Sequence, residues 1–200
     1  MVAVVENIQP FSWDQLQSLS SGQALLLQSL SPWLSRKTSW ACNALQPLLG
    51  EPLEVKAREF WPGEPGRTVD SGSELILFEQ LDGGARMILE LDAPMALDLI
   101  WQGLTGAVDA SMAAPRRLDR VERGVLHYIA SRALWSLWGR ESPFRIVGKG
   151  ASKDLASMTQ DGSLVIHVTL SSGSLFGHAW LHLSKELSTR WSPDLEPGGA

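Results

Sequence analysis

Two hundred residues, 44% of them hydrophobic, suffice for one domain with a sizeable core. The formal net charge of -5 is spread along the chain with only short basic pairs, Arg36-Lys37 and Arg116-Arg117, which argues against a nucleic-acid partner. A lone Cys42 excludes an internal disulfide, four histidines show no Cys/His spacing of the zinc kind, and no apolar run approaches the ~20 residues that cross a bilayer.

In chain order, residues 1–33 come first. Glu6 and Asp14 stand where a signal peptide would be basic, which fits a reducing, cytoplasmic location. The run Leu25, Leu26, Leu27 and Leu30, with Trp13 and Trp33, predicts an N-terminal helical extension covering the domain. A helix follows around Thr38 to Leu49, then a strand from Leu53 to Phe60. Pro62 to Ser73, rich in Pro, Gly and Ser, reads as a mobile surface loop. A hairpin from Leu75 to Leu91 turns at Asp82-Gly83-Gly84. Asp92 caps a connecting helix over 93–104 that carries Pro94 in its first turn and ends at Gly106.

From Leu118 to Trp138 the positions Leu118, Val121, Val125, Leu126, Ile129, Ala133, Leu134 and Leu137 recur every three or four residues, one apolar stripe of a helix. Asp119 and Glu122 suit its N-terminal dipole, and Gly139 and Pro143 stop it. Strands follow at Phe144 to Val147, Leu164 to Leu170 and Leu175 to Leu183, with a loop over Gly148 to Gly162 and a hairpin turn at Ser171-Ser172-Gly173. Residues 187–200 read as a polar tail or linker.

The chain also repeats itself. Ala41-Cys42-Asn43-Ala44-Leu45 and Leu48-Leu49-Gly50 match Ala130-Ser131-Arg132-Ala133-Leu134 and Leu137-Trp138-Gly139 at an offset of 89, which also sets Leu81 on Leu170 and Gly84 on Gly173. The expected architecture is therefore α+β: one domain over 34–186, made of α-β-β-β copies at 34–91 and 118–184 joined by the helix 93–104, with pseudo-twofold symmetry, antiparallel hairpins and packed helices. Either half alone buries too little to be stable.

The run Asp92-Ala93-Pro94-Met95 through Trp101-Gln102-Gly103-Leu104, followed by Leu118 to Leu126, resembles the helix, loop and "L-T-x-I-E-x-x-V" helix start of the flagellar switch protein FliM and its type III secretion relative SctQ. Gly177 and Leu181-His182-Leu183 are similar to the last strand of that family's middle, CheC-like domain. The resemblance spans about Leu34 to Glu186. It implies a non-enzymatic scaffold that repeats around a cytoplasmic ring at the inner-membrane face, peripheral to the membrane through other proteins. Its implied partners are a SpoA-domain fragment, SctK-like and SctL-like sorting-platform proteins and further copies of itself. Flagellar members carry a Gly-Gly-x-Gly docking loop where this chain has Gly106-Ala107-Val108-Asp109, and they begin with an acidic peptide not recognisable in Met1 to Ser20. Both differences favour the secretion version. Family members continue into SpoA modules whereas this chain stops at Ala200, so the expected SpoA module belongs to a split gene or lies past a domain boundary.

The same fold includes CheC phosphatases, the alternative reading together with a flagellar switch component. Their motif needs a carboxylate and an amide on one helical face to hold water in line with a phosphoryl group. Those positions here are Gly124, Tyr128 and Ser131 in the second copy and Ser35, Ser39 and Cys42 in the first, and neither set has them. No catalytic, cofactor or metal residue is expected: His167, His178 and His182 read as hydrogen-bonded or solvent-facing strand histidines, and Cys42 as a buried thiol. Nine tryptophans against one tyrosine point to an interface. The candidate partner-binding residues are Trp135 and Trp138 on the long helix, Gly106, Asp109, Arg116 and Arg117 around the loop before it, and Trp33.

Overall fold

The computed structural model describes residues 28, 41–62, 72–81, 84–106, 116–138, 144–158, 163–173 and 175–190. In chain order these form α1 (residues 41–49), β1 (Glu54–Pro62), β2 (Glu74–Gln80), β3 (Arg86–Leu91), α2 (Ala93–Thr105), α3 (Arg120–Trp138), β4 (Phe144–Lys149), α4 (Ser152–Met158), β5 (Leu164–Ser172), β6 (Leu175–Leu183) and α5 (Lys185–Arg190). The expected helices and strands from α1 to β6 are present. Residues 1–27, Trp33, the Asp82-Gly83 turn, the loop segment 63–71, the helix stop at Gly139 and the tail beyond 190 lie outside the described residues.

The six strands form one antiparallel sheet in the order β1-β5-β6-β3-β2-β4. Each half contributes a hairpin, β2-β3 or β5-β6, and the third strands β3 and β6 pair at the centre, Met87 opposite Leu183 and Leu91 opposite Ala179. The first strands are exchanged: β1 lies against β5 of the second half and β4 against β2 of the first. This exchange gives the sheet its approximate twofold symmetry. It also makes the halves interdependent, because each hairpin leaves an edge that only the other half's strand covers.

Strand alternation divides the side chains between two faces. Ile76, Phe78, Met87, Leu91, Leu164, Ile166, Ala179 and Leu183 point to one face and share a core with Leu45 and Leu49 of α1, Met95, Ala96 and Ile100 of α2, and Leu126, Ile129 and Leu134 of α3. On the other face Leu75, Leu77 and Ile88 pack beneath Leu155 and Met158 of α4. That short helix corrects the expectation of a plain loop over Gly148 to Gly162. Leu155 and Met158 give it an apolar side to bury, and the Asp154 carboxylate accepts from the Ala151 N–H at 2.8 Å.

The offset of 89 holds in the helices and fails in the strands. Leu45 and Leu134, its equivalents, are both buried in the common core. It would also set Phe78 on His167, which the sheet places on opposite faces, and Leu81 on Leu170. Leu81 stands exposed in the β2-β3 turn while Leu170 packs against the core from within β5. A strand's side chains alternate with period two, so an odd displacement reverses every one of them. Equivalence between the two hairpins therefore requires an even offset.

Helix α2 is fastened at its start. Asp92 Oδ1 accepts from the Met95 N–H at 2.7 Å as an N-cap, Pro94 occupies the first turn, and Gly106, at φ 74°, closes the other end with its N–H on the Gln102 carbonyl. The second carboxylate oxygen of Asp92 accepts from the His178 N–H at 2.8 Å, and the Asp92 N–H donates to the His178 carbonyl at 3.2 Å. One residue thus caps the helix and anchors it on β6.

Candidate docking face

Helix α3 begins with a reciprocal cap. The Glu122 N–H donates to Asp119 Oδ1 and the Asp119 N–H donates to Glu122 Oε2, both at 2.8 Å. The Arg116 guanidinium then grips both oxygens of Glu122, Nη1 to Oε2 at 2.8 Å and Nη2 to Oε1. The Arg116 hydrogen bond, aided by the Asp119 amide, holds the Glu122 carboxyl below its ordinary range against the opposing effect of burial. A lowered carboxylate pKa stabilises the fold above the unfolded value and loses that contribution as pH falls through the folded one. Glu122→Gln is therefore expected to lower stability at neutral pH by roughly 1–2 kcal/mol, the difference closing as the pH falls below the ordinary carboxylate range. Urea unfolding at a series of pH values checks this, and a difference that stays constant from neutral to acid would refute it.

Beyond that turn α3 buries one side and opens the other. Leu126, Ile129, Ala130 and Leu134 are buried in the core, with Val125 and Ala133 packed partly against it. Val121 corrects the sequence reading: placed there in the apolar stripe, it is 71% exposed. At 3.6 residues per turn it falls on the opposite side with Gly124, Tyr128, Arg132 and Trp135, all within an arc of about 80°. Tyr128 is 51% and Trp135 46% exposed, and nothing lies within 4 Å of where a Cβ of Gly124 would be. The solvent side of α3 is therefore a shallow apolar strip of Val121, Tyr128 and Trp135, flat at Gly124.

The other candidate residues are dispersed. Gly106 is the C-cap of α2, Arg117 is exposed just before α3, and Arg116 is engaged by Glu122 inside the chain. Asp109, Trp33 and the side chain of Trp138 lie outside the described residues. Of the phosphatase-like positions, Gly124 and Tyr128 are exposed on α3 and Ser131 is half-buried beside them; none carries a carboxylate or an amide. Cys42 packs partly buried against the core.

The sheet face away from α3 holds a cluster that the sequence reading did not assemble. His167 on β5 stacks on Trp61 of β1 and on Trp180 and His178 of β6, with ring centres 5.3, 5.1 and 5.1 Å away. Its Nε2 lies 3.0 Å from His178 Nδ1, and its Nδ1 3.3 Å from a Glu59 carboxylate oxygen. His178 and His182 do share a face, as alternation requires, but His182 Nε2 is instead 2.8 Å from Glu90 Oε2 in the sheet centre. Among the described residues no group of three His, Cys, Asp or Glu side chains could hold a metal ion. The missing signal was register: Glu59, His167 and Trp180 become neighbours only once β1 pairs with β5.

No family model and no curated protein sequence matches this chain. Solved structures do. The FliM chain of a FliG-FliM complex from H. pylori superposes with a TM-score of 0.61 at 17% identity, over 83% of this chain and 94% of that one. FliY from Thermotoga maritima gives 0.61 at 13% identity over 86% and 94%, and the FliM middle domain from Vibrio alginolyticus 0.60 at 12% over 80% and 95%. At such identities the likeness is one of fold. Among the described residues no helix is long and apolar enough to cross a membrane. The chain has the α+β fold of the FliM middle domain and its CheC-like relatives.

Proposed function

We propose that this protein is a non-enzymatic scaffold of the type III secretion cytoplasmic ring, the SctQ counterpart of FliM, which assembles at the cytoplasmic face of the inner membrane. The observation that carries this reading is the solvent side of α3. Where a phosphatase of this fold needs an acid and an amide, this helix presents Gly124, Tyr128 and half-buried Ser131 within an open apolar strip. Such a surface offers contact area and lacks the groups that position water. The partners are a SpoA-domain fragment and SctK-like and SctL-like proteins, with further copies of the chain beside it in the ring. The departures at Gly106 to Asp109 from the flagellar docking loop favour secretion over motor switching.

Pull-downs of the purified chain against a SpoA fragment, an SctL-like and an SctK-like protein test this. Trp135→Ala is expected to weaken capture of at least one of them tenfold or more while leaving the far-ultraviolet circular dichroism unchanged. A parallel assay follows the lifetime of a response regulator's acyl phosphate, which the chain should not shorten. Absence of all three captures, or accelerated dephosphorylation, would overturn the scaffold reading.

A further inference from the structure

The apolar strip of α3 has charged borders of one sign. Arg120 flanks it on one side and Arg132 on the other, both exposed, and Arg117 stands exposed just before the helix. These three arginines make no ion pair among the described residues, whereas Glu122, the acid of the first turn, is already neutralised by Arg116. Among the described residues just before and along α3, Asp119 is the one exposed acid, and its carboxylate is used as the helix cap. Val121, Tyr128 and Trp135 recur every seven residues, each about 20° round the helix from the last, so that one partner helix can follow them by crossing at a shallow angle. Gly124 leaves a gap between Val121 and Tyr128 where the partner's side chain can settle.

We infer that this face of α3 takes an acidic amphipathic helix from a partner protein: its apolar side laid along Val121, Tyr128 and Trp135, its carboxylates reaching Arg120 and Arg132. Charge complementarity selects this occupant, because a basic helix would meet uncompensated arginines on both borders. A second copy of the chain laid antiparallel on the same strip would likewise set arginines against its own. The inference deepens the scaffold reading and rests on it, by giving the chemistry of one partner at Trp135.

The test uses two synthetic three-heptad peptides with leucine at the a and d positions, one carrying glutamate and the other lysine at e and g, each labelled with fluorescein. Anisotropy titrations against the whole chain are expected to show the glutamate peptide binding at least tenfold more tightly, with the preference falling as salt is raised. Trp135→Ser should weaken both peptides. Arg120→Glu with Arg132→Glu should reverse the preference, and these exposed changes should leave thermal unfolding where it was. Equal affinities, or a preference that survives the charge reversal, would overturn the inference. So would a concentration-dependent dimer, seen by sedimentation, that Trp135→Ser abolishes, since a second copy would then be the occupant. Loss of peptide discrimination with SctL-like or SctK-like capture intact removes this inference alone; loss of every capture removes the scaffold reading as well.

Discussion

His182→Ala is expected to lower the folding free energy by about 3–5 kcal/mol, among the largest single-residue effects in the domain. His182 and Glu90 are 1% and 2% exposed, and their Nε2 and Oε2 atoms are 2.8 Å apart. They stand on β6 and β3, the two central strands, where His182 faces Ile88 and Glu90 faces Trp180, so the contact runs diagonally across the join between the halves. Removing the imidazole takes from a buried carboxylate the group that faces it, and desolvation is then opposed by less. Glu90→Gln keeps shape and a hydrogen-bonding oxygen and should cost less than half as much. Replacing both residues with leucine should recover most of the loss, since a well-packed apolar pair is often as stable as a buried polar one. Urea unfolding of the single and double variants closes the cycle. A loss below about 1 kcal/mol for His182→Ala would refute the assignment.

That pair also marks the limit of what could be read from the residues alone. Helix α2 was legible end to end, because Asp92, Pro94 and Gly106 act locally and each signals a terminus by its own chemistry. The strands were legible for a similar reason: alternation and turn residues are local. Pairing between strands is not local. The exchange of β1 and β4 between the halves brings Glu59 to His167, residues 108 apart in sequence, and nothing in either strand announces that register. The internal repeat pointed to the right symmetry but at an odd offset, which a helix tolerates and a pleated strand does not. Val121 failed differently. Its spacing from Val125 fits an apolar stripe, yet the packed side of α3 is centred on Leu126, Ala130 and Leu134, and only the position of the sheet decides which of two overlapping stripes is buried. The misplaced valine belongs to the surface that makes the helix a docking candidate. Trp135 was a candidate from composition and helix position, and its side chain is exposed; its neighbours Val121 and Tyr128 required the geometry.

Two glycines on opposite sides of the same core should respond to alanine with opposite sign. Gly177 on β6 lies under α2, where an added Cβ would stand 2.6 Å from the Met95 Cβ and 2.8 Å from its sulfur. The nearest obstacle is the root of the side chain, so no rotamer change relieves it. The helix cannot retreat easily either, because Asp92 ties its first turn to the His178 backbone in both directions. Gly177→Ala is accordingly expected to destabilise by about 1–3 kcal/mol, and Gly177→Val by more. Gly124 lies on the open side of α3 with nothing within 4 Å of its Cβ position, so Gly124→Ala removes only the entropic penalty of a helical glycine and should stabilise by about 0.5–1 kcal/mol. A partner substitution locates the clash. Met95→Gly should couple favourably to Gly177→Ala, whereas Met95→Ala, which keeps the offending Cβ, should couple weakly. Thermal and urea unfolding of the five single variants and two pairs would measure this. Equal coupling for the two Met95 variants would mean that the sulfur, not the helix position fixed by Asp92, limits the space above Gly177.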